Sequence, residues 1–343
     1  MSKTVLVSGG SGYIAGFIIQ QLLAEGWTVH ATVRSLKREA ELRPLLGGTA
    51  ETLKFFAADL TADAGWAEAM EGCSHVLHVA SPFSSKPPRN PDELIILARE
   101  GTVRTLRIAK AAGVTRFVQT SSVAAIAYGH GKGHHHFTEA DWTNIHSRDA
   151  YAYVKSKTVA ERAAREWMAK EGAREDGTRM EFLSINPAAV LGPVWSPDFS
   201  ASIEMVNQLL SGALPGCPDL GFGIVDVRDL ADLHVRVLTE PGLDGERFIA
   251  SGPFLKMIEV AQILRANMPL EARRVPTRRL PDWLVRFAAK FNPLIRQVVG
   301  ELGNVRDASA AHALERLGWK TRPAEESIID CAKSLIERGI VKV

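Results

Sequence analysis

Two stretches of this chain hold residue types that can move a proton. Tyr151-Ala-Tyr-Val-Lys-Ser-Lys157 contains Tyr-x-x-x-Lys twice, as Tyr151/Lys155 and as Tyr153/Lys157. On a helix, residues four apart share a face, so either pair sets a phenol beside an ammonium. A carbonyl that accepts hydride becomes an alkoxide and needs a proton. A phenol can give it, but its ordinary pKa near ~10 is high for work at neutrality. A neighbouring ammonium stabilises the phenolate and lowers that pKa. The two frames stand about 200° apart at 3.6 residues per turn, so one of them alone can face a cleft. Extending the first gives Tyr151, Lys155, Thr158, Arg162 and Glu166, a solvent face. Extending the second gives Tyr153, Lys157, Ala160, Ala164 and Trp167, a face able to pack on a sheet. Tyr153 and Lys157 are therefore the expected reacting pair. Thr120-Ser121-Ser122 closes an apolar, strand-like run and offers hydroxyls that can hold a carbonyl oxygen.

Hydride chemistry requires a carrier, and the start of the chain is built for one. Val5, Leu6 and Val7 make a short buried strand, Ser8 to Gly12 a glycine turn, and Tyr13, Ile14, Phe17, Ile18, Leu22 and Leu23 a helical pattern. A helix N-terminus after such a turn presents backbone N–H groups and a positive dipole end to an anion. Gly10, Gly12 and Ala15 fit G-x-G-x-x-A, and Gly9 relieves the turn with Gly10. Gly12 admits a pyrophosphate, and Ala15 with Gly16 allows helix and strand to pack closely. Gly9, Gly10, Ser11, Gly12, Tyr13 and Ile14 are the expected phosphate cradle. An acidic residue ending the second strand would mark NAD. The chain has Arg34 there, followed by Lys37 and Arg38, which predicts a 2′-phosphate and hence NADP(H). Asp59 and Leu60 are expected at the adenine, and Val79, Ala80 and Ser81 along the cofactor's middle.

The elements that must position these groups alternate. Strand-like runs at 27–33, 53–57, 75–80, 116–121 and 180–185 are separated by helical patterns at 63–71, 91–112 and 150–171. That order predicts an α/β fold with a doubly wound parallel sheet. Beyond Asn186-Pro187, proline and glycine become frequent and strand signals thin out. Residues 225–229 and 247–250 read as strands returning to the sheet or its edge. Helical patterns fill 258–267, 281–291, 309–317 and 324–338. The expected division is a nucleotide-binding part, 1–186 with 225–250, and a smaller, mostly helical substrate-binding part, 187–224 and 251–343.

Composition narrows the partners. The 343 residues are 46% hydrophobic and 23% charged with a net charge of +2, which gives no electrostatic reason to bind nucleic acid or an acidic membrane. No apolar run reaches the roughly 18 residues of a membrane span. Lys3 runs straight into the first strand, leaving no room for a signal peptide. Cys73, Cys217 and Cys331 show neither disulfide nor metal spacing. The expectation is a cytoplasmic monomer or homodimer acting on a small carbonyl compound. Gly131-Lys-Gly-His-His-His136 reads as a solvated loop with no carboxylate nearby, and no metal site is expected.

With these motifs in place, the chain resembles the extended short-chain dehydrogenases/reductases. The branch is that of dihydroflavonol 4-reductases, cinnamoyl-CoA reductases and NADPH-dependent aldehyde and methylglyoxal reductases. The resemblance rests on Ser8–Ala15, Thr32–Ser35, His78–Phe83, Gly101-Thr102, Thr120–Ser122, Tyr153-x-x-Ser-Lys157-Thr-x-Ala-Glu161, Asn186-Pro187 and Asp226–Ala231. It implies a Rossmann-type domain, Ser122 as the catalytic serine, Tyr153 and Lys157 as its partners, and Lys157 also on the nicotinamide ribose. It further implies Thr120 and Ser121 beside the cofactor, and Pro187 to Val190 passing the nicotinamide amide. Phe83, Val123, Ala124, Ala127, Trp195 and Phe222 are the expected substrate contacts. The cinnamoyl-CoA reductase signature is replaced by Arg148–Tyr153, and Ala127 stands where dihydroflavonol reductases place an asparagine. Both departures favour a plain aldehyde or ketone substrate. The rival readings are a 3β-hydroxysteroid dehydrogenase or nucleotide-sugar epimerase, and a redox sensor that holds NADP without turnover.

Overall fold

The structure, a computed structural model, describes residues 3–82, 90–196 and 200–342. Seven strands form one parallel sheet: β1 (Thr4–Val7), β2 (Thr28–Val33), β3 (Leu53–Ala57), β4 (His75–His78), β5 (Arg116–Thr120), β7 (Glu181–Pro187) and β10 (Arg247–Ala250). Their order is β10-β7-β5-β4-β1-β2-β3. The order reverses between β1 and β4, and in open sheets of this kind ligands bind outside the carboxyl ends of the strands at that point. β1, β5 and β10 are almost wholly buried, as a sheet covered on both faces requires.

Helices α1 (Tyr13–Ala24), α2 (Glu39–Leu46), α3 (Trp66–Met70), α4 (Pro91–Ala111) and α5 (Ala152–Glu171) link the first strands. The Asn90 side chain accepts from Asp92 N at 3.0 Å, and Pro91 opens α4 with its φ already set. α4 and α5 pack together on one face of the sheet. On the other face α1 packs against α7 (Val227–Thr239).

Beyond β7 the sequence expectation needs correction. Residues 225–229 do not form a returning strand. β9 (Gly221–Asp226) stops at Asp226, whose carboxylate accepts from Arg228 N at 2.8 Å and starts α7. The run Val225, Val227 imitates strand alternation, and the capping aspartate breaks it. β9 lies in a separate three-stranded sheet between β8 (Ala189–Leu191) and β11 (Phe254–Lys256). Only β10 of the two expected segments rejoins the central sheet. The remaining helices are α6 (Ala201–Ser211), α8 (Met257–Asn267), α9 (Asp282–Ala288), α10 (Pro293–Val298), α11 (Ala311–Leu317) and α12 (Ala324–Glu337).

The expected solvated loop at 131–136 is also corrected. His134–Phe137 forms β6, paired in parallel with β12 (Val305–Ala308), and Asp307 of β12 stands beside His136.

Candidate active site

The glycine turn is held from below and open above. Gly9 takes φ +71°, and a Cβ there would come within 3.1 Å of Ala80 Cα. Gly10 has no such φ; its bare Cα makes room for Ala31, whose Cβ would lie 2.9 Å away. Gly9 N and Gly10 N donate to the Thr32 hydroxyl and carbonyl at 3.2 and 2.8 Å. Ser8 Oγ lies 3.1 Å from His78 Nδ1 and accepts from Ala80 N at 2.9 Å, tying β1 to the end of β4. Among the described residues no side chain caps α1, and its first turn holds no acidic group. N–H groups left free at a helix start in this way are suited to an anion. Gly16 departs from its expected role. It makes way for the Trp195 ring rather than for the strand: a Cβ there would lie 2.6 Å from the indole. Trp195 Nε1 donates to Tyr13 O at 3.1 Å.

At the adjoining edge, Arg34 is exposed just past β2 and Lys37 is exposed beside it. Arg38 is engaged with Glu41 through two bonds, at 3.1 and 3.3 Å. The Thr61 hydroxyl and N–H hold the Asp59 carboxyl below its usual range, and the charge of Arg34 adds to this.

Ser122, Tyr153 and Lys157 come together. Ser122 lies two residues past β5 and caps the turn at Val123–Ala125, its Oγ accepting from Ala124 N at 3.1 Å. It stands near enough to the Tyr153 hydroxyl to lower that group's pKa. Lys157, 9% exposed, donates from Nζ to Thr120 O at 3.2 Å. Burial lowers its pKa to about 8, against the opposing charge of Glu161. Burial raises the Tyr153 pKa, and the nearby Ser122 offsets part of the rise. This corrects the expectation of a lowered phenol. Lys157 is buried, and its ammonium is turned to a backbone carbonyl.

The choice of frame is explained by what surrounds Tyr151. It is not in the helix but precedes it, with an extended backbone. Its ring packs edge-on against Tyr128, centroids 6.1 Å apart, and the Arg306 guanidinium lies 4.3 Å over the Tyr128 ring. Arg306 also donates to Ala127 O (2.7 Å), Asp149 Oδ2 (3.0 Å) and Glu301 Oε2 (2.6 Å). Tyr151 thus belongs to a supporting network. Thr158, assigned by the same periodicity to solvent, is fully buried and donates to Val154 O.

Glu161 holds the set in register. Its carboxylate is 0% exposed. It accepts from Ser121 Oγ (2.6 Å), Ser184 Oγ (2.9 Å), Asn186 Nδ2 (2.9 Å) and Arg247 Nε (2.7 Å). Burial would raise its pKa, but Arg247 and Arg165 with these donors hold it low. Helix α5 is so joined to β5, β7 and β10. Asn186 Nδ2 also donates to Ser122 O at 3.1 Å. His234 secures Thr120: Nδ1 donates to Leu230 O, which can only accept, so Nε2 accepts from the Thr120 hydroxyl, both at 2.8 Å. Burial lowers the His234 pKa to about 4, which keeps the ring neutral. Arg247, Arg165 and His234 carry no sequence motif. Glu161 could have been found, because it extends the spacing Tyr153, Lys157 by four more residues.

The expected substrate residues scatter. Val123 and Ala124 follow Ser122 directly. Ala127 is 2% exposed, in a cluster with Ile126, Phe137, Ile249 and Ala308. Trp195 lies against α1. Phe222 packs on the cluster of Leu220, Val285 and Leu302. Phe83 lies outside the described residues, as does the rest of 83–89. Pro187 ends β7, its carbonyl 3.5 Å from Ser122 Oγ, and Val190 is buried in β8.

The comparisons with known proteins agree with this geometry. The model of the NAD dependent epimerase/dehydratase family matches residues 5–250. The chain is 33% identical over 280 residues to cinnamoyl-CoA reductase CAD2 of Medicago truncatula, covering 78% of this chain and 82% of the relative. It is 34% identical over 279 residues to a dihydroflavonol 4-reductase of Gerbera hybrida, covering 78% and 73%. Yeast methylglyoxal/isovaleraldehyde reductase Gre2, solved with NADPH, superposes with a TM-score of 0.81 at 27% identity, covering 98% of this chain and all of that one. The chain belongs to the NAD dependent epimerase/dehydratase family, the extended short-chain dehydrogenases/reductases. Within it, the chain is an oxidoreductase of the dihydroflavonol reductase-like branch. Among the described residues no helix is long and apolar enough to cross a membrane.

Proposed function

We propose that this chain is an NADPH-dependent reductase of aldehydes or ketones, working reversibly through Ser122, Tyr153 and Lys157. One observation carries the reading. Tyr153 stands beside Ser122, with Lys157 buried one turn along the same helix, at the carboxyl ends of the central strands where the uncapped α1 opens. The residues present fit the nucleotide. The α1 N–H groups and Gly9–Ile14 suit a diphosphate, and exposed Arg34 with Lys37 suits a 2′-phosphate. Asp59 and Leu60 are assigned to the adenine, Val79–Ser81 to the middle of the cofactor, and Pro187 and Val190 to the nicotinamide amide. NADPH in the yeast reductase supports the same choice.

The reduced nicotinamide supplies the hydride when bound. Ser122 donates to the substrate oxygen and polarises the carbonyl. Tyr153 delivers the proton to the oxygen as negative charge develops there. Lys157 holds a positive charge within the same pocket, which opposes the rise that burial imposes on the phenol. Val123 and Ala124 border the reacting oxygen. The test is a panel of aldehydes and ketones followed by loss of NADPH absorbance. NADPH-dependent consumption by the wild type and its loss in Tyr153→Phe are expected. Full activity in the variant would refute the assignment.

A further inference from the structure

In a strand, alternate side chains share a face. In β6 this sets His134 and His136 side by side, ring centroids 4.8 Å apart, and sends His135 to the opposite face. β12 runs parallel in the register His136↔Asp307 and adds a carboxylate to the same face. Asp307 Oδ2 lies 2.9 Å from His136 Nδ1. One ligand atom from each of the three lies within 4.8 Å of the others. The reasons against a metal site in the sequence, a loop and a missing carboxylate, are both removed.

We propose that His134, His136 and Asp307 form a binding site for one divalent transition-metal cation, completed by water. Two imidazoles and a carboxylate select the zinc, nickel, cobalt or copper class, because calcium and magnesium take oxygen ligands. Bonds of about 2.0–2.2 Å to each ligand require the donor atoms to draw closer than they stand. Side-chain rotation supplies this, since both imidazoles are exposed. Arg306 points to the other face of β12, where Glu301 and Asp149 answer it. The site is separate from Ser122, Tyr153 and Lys157 and takes no part in hydride transfer. Its effect is mechanical: the ion ties β6 to β12, and β12 carries the Arg306 that braces Tyr128 and Asp149.

The test uses the full chain without an affinity tag, stripped of metal. Titration with ZnCl2 by calorimetry is expected to show one equivalent bound and a rise in the thermal midpoint. CoCl2 should give the visible absorption of a nitrogen-ligated ion. His134→Gln and His136→Gln should each weaken zinc binding about tenfold or more, and Asp307→Asn should weaken it by a smaller factor. His146→Gln and His312→Gln should leave it unchanged. The three site residues lie on the surface strand pair, so the variants are checked for the wild-type circular dichroism before titration. Absence of a stoichiometric equivalent, or one that persists in the His134→Gln/His136→Gln double variant, overturns the proposal.

Discussion

At the scale of single residues, the site poses a question of proton affinity. In the proposed reaction Tyr153 gives up a proton in a place where burial makes it hold one more firmly. Tyr153→Phe should lower turnover by about 10²–10⁴-fold and leave NADPH affinity, read by fluorescence titration, close to wild type. On the same proposal Lys157 sets the pH dependence. Its folded pKa lies at about 8, so its charge is complete below that pH and is lost as pH rises through it. Reduction should therefore fall across that range, and Lys157→Met should remove this limb from the pH–rate profile along with most of the activity. A wild-type rate that stays level to pH ~10 would count against the role. Arg34→Asp should move the ratio of kcat/KM for NADPH over NADH toward NADH by about tenfold or more, one lost phosphate contact being worth about 1.5–3 kcal/mol. An unchanged ratio would remove Arg34 from that contact.

At the scale of elements, the proposed reacting groups are held by a fully buried carboxylate. Glu161 draws α5 onto β5, β7 and β10 through Ser121, Ser184, Asn186 and Arg247. Arg247→Met leaves that charge buried with Arg165 as its remaining cation, and should cost about 3 kcal/mol of stability in urea unfolding. The sign of the pH effect follows from the lowered pKa of Glu161. Its stabilisation is present above the ordinary glutamate range and is lost as pH falls through the folded value. The acid limb of the wild-type stability curve should be shallower in the variant. These elements were unevenly legible. β1, the glycine turn, α1, β5 and α5 announce themselves by local pattern, and the Tyr153 frame follows from which helix face is apolar. α7 was hidden because Val225 and Val227 imitate a strand until Asp226 caps. β6 was hidden because it is made of histidines and is a strand only through β12, far away in the sequence. Arg247, Arg165 and His234 were invisible for the same reason: each acts on a group that the fold alone brings near.

At the scale of the whole molecule, the two expected parts share one interior. The main core contains Ile18 and Leu22 of α1, Leu230 and Leu233 of α7, Val260 and Leu264 of α8, and Ile328 and Leu335 of α12. A continuous core predicts one cooperative transition, with tryptophan fluorescence and far-ultraviolet dichroism melting together. Two separated transitions would show that the halves fold independently. The indole of Trp195 seated in the notch at Gly16 ties the first helix to the segment that follows β7. Anyone grafting a relative's 187–224 segment to change what the enzyme accepts would, unless an aromatic ring arrives at the same spot, also slacken the grip on the coenzyme. A chimaera could then lose its activity through the nucleotide turn while the new pocket itself was sound.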